Sequence, residues 1–137
     1  MMNNPRYILQ RLIPVHQQRM MGYEHTLKGY QQQLNDLIED TEGELQNIQS
    51  LMLEYQQNDS AFQIASQQRV MSFHLLISKR LHLKSLAEDI ALHNQSLRNI
   101  NARREQVCQQ ITVTREQILF YNKKLEKIRQ TLLLIKD

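Results

Sequence analysis

A chain of 137 residues is long enough for one ordinary domain and too short for two comfortable ones. With three Gly, two Pro, no Trp and 6% aromatic residues, it lacks the turns of a sheet protein, and long helix is expected. The net charge of +3 hides a division, because residues 1–60 carry four Lys/Arg against eight Asp/Glu and residues 61–137 carry thirteen against six. Antiparallel pairing of the two halves would bring opposite fields together, although exposed pairs are individually worth less than about 1 kcal/mol.

At the N-terminus, "MMNNPRYILQRLIPVHQQ" has no continuous apolar run and no small-residue cleavage site, so no signal peptide is read there. A first helix is expected over about residues 6–57. Its apolar stripe repeats every seven residues: Leu9/Ile13, His16/Met20, Tyr23/Leu27, Tyr30/Leu34, Leu37/Thr41, Glu44/Ile48, Leu51/Tyr55. A strict seven-residue period means a left-handed coiled coil. Pro14 removes a helix hydrogen bond within this series, so a kink or a true helix start is expected near it. Gly22, Gly29 and Gly43 share one heptad position facing away from the seam. They are read as tolerated surface glycines, with a close third body as the other reading.

Between residues 51 and 73, "LMLEYQQNDSAFQIASQQRVMSF", the stripe thins to Asn58, Phe62, Ala65, Arg69 and Ser72. Asp59 or Ser60 offers a helix N-cap, and Ser60 with Gln63 matches a capping box. A turn is therefore expected near residues 58–65. The alternative is one continuous helix forming a long homodimer as a structural coiled-coil adaptor. That dimer would span the gap with an almost polar seam.

A second helix is expected over about 66–135, with the stripe Leu83/Leu86, Ile90/His93, Leu97/Ile100, Arg104/Val107, Ile111/Thr114, Ile118/Tyr121, Leu125/Ile128, Leu132/Ile135. A turn centred near 63–64 pairs Leu51 with Leu76, Leu37 with Ile90, and Leu9 with Ile118. The second helix then outruns the first, leaving the seam residues Leu125, Ile128, Leu132 and Ile135 to bury against another subunit or a different protein. Val70, Phe73 and Ile77 lie off the seam on a separate stripe. They either close the hairpin tip or dock another protein.

Chemistry is not expected. The five histidines form no i, i+4 pair with one another or with Cys108, so no metal or cofactor is assigned, and the chain is read as no enzyme. The basic stretches "NARRE" and "NKKLEKIR" lack interleaved aromatics, so no nucleic-acid partner is assigned. The longest aliphatic run, "LLLI" at 132–135, is far short of the roughly 20 residues of a membrane span. A single cysteine fits a reducing compartment.

A heptad-rich helix ending in "LMLEYQQND", a short polar turn and a longer basic second helix resemble the FliJ/YscO family. These are cytosolic stalk proteins of flagellar and virulence-type type III secretion. The resemblance implies an antiparallel two-helix hairpin whose joined termini enter the hexameric ring of the secretion ATPase. The hairpin body would contact the cytoplasmic domain of the export gate, and some members escort unloaded secretion chaperones. Carried over by position, Met52 and Tyr55 match the gate-contact stripe on the first helix, and Phe73 and Ile77 match it on the second. The overhanging end with Leu125, Ile128, Leu132 and Ile135 would sit in the ATPase ring. The sequence departs from the pattern at Arg80 and Lys84, where the stripe would continue, and at Asp59, where a second tyrosine would fall.

Overall fold

The computed structural model describes residues 4–68 and 72–135. The chain is all-α: helix α1 spans Pro5–Gln67, helix α2 spans Phe73–Leu134, and the two pack against each other as a hairpin. Among the described residues there is no strand, and no helix is long and apolar enough to cross a membrane.

Both helix starts are built from local capping. Asn4 accepts a hydrogen bond on Oδ1 from the Arg6 amide at 3.0 Å, and its carbonyl takes the Ile8 amide, with Pro5 at the first helical position. A proline there removes only an amide that would have had no partner, and its ring pre-sets the helical φ. Ser72 does the same for α2, its Oγ accepting from the Leu75 amide at 3.3 Å.

The expected turn at 58–65 is corrected. Those residues are helical, and α1 continues to Gln67. The pair read as a capping box belongs to the helix surface instead, with Gln63 Nε2 donating to Asp59 one turn earlier at 3.3 Å. Asn58 donates back to the Glu54 carbonyl. Helix continues here because the seam does: Asn58, Phe62 and Ala65 are half-buried on α1, as are Leu76 and Lys79 on α2. Small or polar seam residues bury less surface per turn but keep the phase. Val70, assigned to the docking stripe, lies outside the described residues. Helix α1 also runs through Pro14, which is exposed, so no helix start falls there.

The chain divides into two units, each drawing one stretch from each helix. The first unit comprises Met1–Asn35 and Glu105–Asp137. Its seam buries Val107, Ile111, Thr114, Leu125 and Ile128. At the open end of the hairpin Arg6 joins the two helices, its Nη1 donating to the Leu132 and Ile135 carbonyls at 3.2 and 3.3 Å. Helix C-terminal carbonyls carry partial negative charge without helical partners, which a guanidinium complements. Tyr121 lies between His16 and Tyr23, at ring-centroid distances of 5.6 and 5.7 Å. His16 Nδ1 is buried without a hydrogen-bond partner. Burial, reinforced by Lys124 and Arg19, pushes the His16 pKa below its ordinary value.

This arrangement overturns the expected register and the overhang. Leu9 shares a cleft with Ile128 and Thr131, not with Ile118. Helices of 63 and 62 residues are matched in length, so the second does not outrun the first. A seven-residue repeat is unchanged by a slide of seven, so periodicity alone leaves several registers equivalent. Moving the turn toward the C-terminus selects one in which the ends of α1 and α2 meet.

The second unit, Asp36–Arg104, is held by Ile48, Leu83 and Leu86 and by two polar layers in its seam. Thr41, buried, donates to the Leu37 carbonyl at 2.8 Å and accepts from Arg104 Nη1 at 3.4 Å. Glu44 meets His93 Nδ1 and accepts from Ser96 Oγ at 3.3 Å. Lateral to these, Glu54 and His82 approach to 3.9 Å.

Candidate functional site

Labelling the heptad so that Thr41 is an a position and Glu44 a d position, every a and d residue of the second unit's helices is buried or half-buried. Glu54 and His82 both fall at g positions, so the g positions of the two helices share one side of the seam and the e positions share the other. On that e side, α1 places Ile38, Leu45 and Met52 seven residues apart, all exposed. From α2 the same side receives Phe73, 73% exposed, at an e position and Ile77 at the adjoining b position. None of the five is needed to close the seam. The unit also exposes Leu53, Ile64, Leu75, Leu81 and Leu92 at c, f and g positions, but only the e side carries a row repeated at one heptad position, the pattern of a contact surface rather than of singly scattered residues.

The sequence-assigned gate residues therefore divide. Met52, Phe73 and Ile77 are exposed on the e side, as a docking role requires. Tyr55 is a half-buried a residue, and its side chain joins Met52, Gln49 and Ile90 in walling a shallow cleft. Its first duty is the seam. Ile38 and Leu45 were missed, although their seven-residue spacing from Met52 was present in the sequence. Arg80 and Lys84, also on the e and b positions of α2, interrupt the apolar stripe with charge.

The ATPase-ring assignment loses its stated basis. Leu125 is 1% exposed and Ile128 is buried, both within the first unit's own seam, and Leu132 and Ile135 are half-buried. They are not seam residues left without a partner. What that end of α2 exposes is Leu133 and Leu134.

Glu44, His93 and Ser96 bring together the side-chain types of a nucleophile–base–acid relay, but not its connectivity. Ser96 and His93 both bond to the carboxylate, and Ser96 is not directed at the imidazole. A relay needs the hydroxyl on the imidazole. The arrangement satisfies a carboxylate inside a seam; it does not activate a hydroxyl. Among the described residues no group of three or more His, Cys, Asp or Glu is placed to hold a metal ion, and Cys108 is free and exposed.

No protein-family model, curated protein or solved structure matches the chain.

Proposed function

We propose that the chain is a non-enzymatic stalk of the FliJ/YscO type, serving a type III secretion apparatus from the cytoplasm, peripheral to the inner membrane. The hexameric secretion ATPase and the cytoplasmic domain of the export gate are its partners, with unloaded secretion chaperones as further cargo. The observation that carries the reading is the e-side stripe of the second unit. Of the four residues that the resemblance places against the gate, Met52, Phe73 and Ile77 are exposed beside the seam, and Tyr55 is half-buried within it. Such a protein makes and breaks no bond. It acts by binding different states of its partners with different affinity, and so shifts their populations.

The ring contact moves to other residues of the same end of α2. In place of the buried Leu125 and Ile128, the exposed Leu133 and Leu134 are the residues of that end free to meet the ATPase. The alternative, a long homodimeric adaptor, has lost its motive, since each helix of the hairpin already covers the seam of the other.

The test is a calorimetric titration of the export-gate cytoplasmic domain with wild-type chain and with Phe73→Ala/Ile77→Ala. Both side chains are exposed, so helicity and melting should stay as they are while gate binding is lost. Gate binding that survives the double substitution counts against the stripe, and wild-type chain that fails to bind counts against the stalk reading itself.

A further inference from the structure

We propose that the g/c side of the first unit is a second docking surface, whose occupant is an acidic amphipathic helix of another protein. On α1, Ile8, Leu12 and Val15 are exposed at spacings of four and three, along the line that continues through Arg19, Gly22, Thr26 and Gly29. On α2, Val113 and Phe120 are exposed at c positions seven residues apart. Three clefts lie along this flank between the helices, the first of them lined by both rows. One is walled by Thr26 and Gln110, another by Arg19, Gly22 and Tyr121, and a third by His16, Lys124 and Lys127. A helix seated there would bury a second apolar stripe that the chain's own seam leaves open.

Charge selects the occupant. Residues 1–35 and 105–137 carry ten Lys/Arg against five Asp/Glu, a net of +5. On the g and c positions of this unit stand Arg19, Lys124 and Lys127, and no Asp or Glu at all. Lys124 lies over the Phe120 ring at 4.4 Å, so its cation is held at the apolar stripe. An apolar stripe whose g and c positions carry cations and no carboxylate fits a helix whose own apolar stripe is bordered by carboxylates. A second copy would bring the same three cations against this face.

Shape favours a helix over an anionic lipid surface. A Cβ built at Gly22 or Gly29 meets nothing within 4 Å, so this chain's own packing does not require glycine there. Glycine is the poorest helix former after proline. Lipid insertion draws on bulky apolar side chains, whereas the middle of this flank holds Gly22, Thr26 and Gly29 across from Gln110 and Gln117. Small residues there admit a helix backbone closely, and the amides can hydrogen-bond to it. This inference stands apart from the export-gate reading, since it concerns other residues in the other unit.

The experiment titrates the full chain into a fluorescein-labelled synthetic helix with leucine on its heptad seam and glutamate elsewhere. A matched peptide carries lysine in place of glutamate. Anisotropy should report salt-sensitive binding of the glutamate peptide alone. Binding should weaken at least about tenfold in Leu12→Glu/Phe120→Glu, and again in Arg19→Glu/Lys127→Glu, which spares the apolar residues. All four side chains lie outside the a/d seam, and circular dichroism verifies that the variants fold. Equal binding of the two peptides, no binding, or binding indifferent to both variants overturns the proposal. So does tighter association with phosphatidylserine vesicles, or self-association that excludes the peptide.

Discussion

Glu44 and His93 are 49 positions apart in the chain and meet inside the seam of the second unit, where Ser96 adds a second donor to the same carboxylate. A seam of leucine and isoleucine is indifferent to a slide of one heptad. This pair is not, because a slide would leave a half-buried carboxylate facing aliphatic side chains. We therefore expect Glu44→Leu and His93→Leu each to destabilise the fold by roughly 1–3 kcal/mol, as removing one partner strands the other. The double variant should recover part of that loss while losing its unique register. Chemical denaturation of the four proteins of the cycle measures the coupling, and amide NMR spectra count the registers.

Ala61→Pro tests where the chain turns. Ala61 lies within α1, inside the segment that local capping signals would assign to a turn. Proline in a helix interior costs about 3 kcal/mol or more. A large drop in thermal midpoint is expected, and a silent substitution would return the turn to 58–65.

Arg6→Ala should act locally. Its guanidinium caps the last turn of α2 through the Leu132 and Ile135 carbonyls, a charge–dipole contact worth about 0.3–1 kcal/mol at a partly exposed site. Faster hydrogen exchange in the amides near 131–134 is expected, with little change in the global transition. Arg6→Lys should restore part of the protection.

His16 sets a pH dependence whose sign follows from its lowered pKa. Between the folded pKa and the unfolded value of 6.5, the unfolded chain binds more protons, so stability rises with pH. The His16 contribution is fully present above pH 6.5 and is lost as the solution is acidified through that window. In His16→Gln this part of the pH dependence should vanish from melting curves collected between pH 7.5 and 5.

Gly22→Ala, Gly29→Ala and Gly43→Ala should each stabilise the isolated chain by about 0.4–1 kcal/mol, since nothing lies within 4 Å of the added methyl. Thermal melts of the single and triple variants measure this, and a loss of stability would reveal a packing role for the glycines that the fold does not display.

The seam was legible from the sequence. Every position from Leu9 to Tyr55 and from Leu83 to Ile135 assigned to the stripe is buried or half-buried. The turn was not, because a capping signal is local: Asp59, Ser60 and Gln63 make one as readily on a helix surface as at its start, whereas Phe62 and Ala65 follow the seam. Register was out of reach for a related reason. Leucine layers are interchangeable, and the pairs that break the tie, Glu44 with His93 and Thr41 with Arg104, read individually as tolerated polar positions. Of the docking residues, Phe73 and Ile77 stood out as off-seam apolar residues, and Met52 came through the family resemblance. Ile38 and Leu45 belong to a stripe with one apolar residue per heptad, too sparse to separate from scattered surface residues until the seam direction is known.

The most direct measurement is the solution mass of the intact chain, by light scattering on a size-exclusion peak across a concentration range. A chain whose two helices cover each other's seam should elute as a monomer of 16.4 kDa at every concentration. A species of twice that mass persisting to the lowest concentration would mean that the seams are closed between chains, and the hairpin and the stalk reading built on it would fall together.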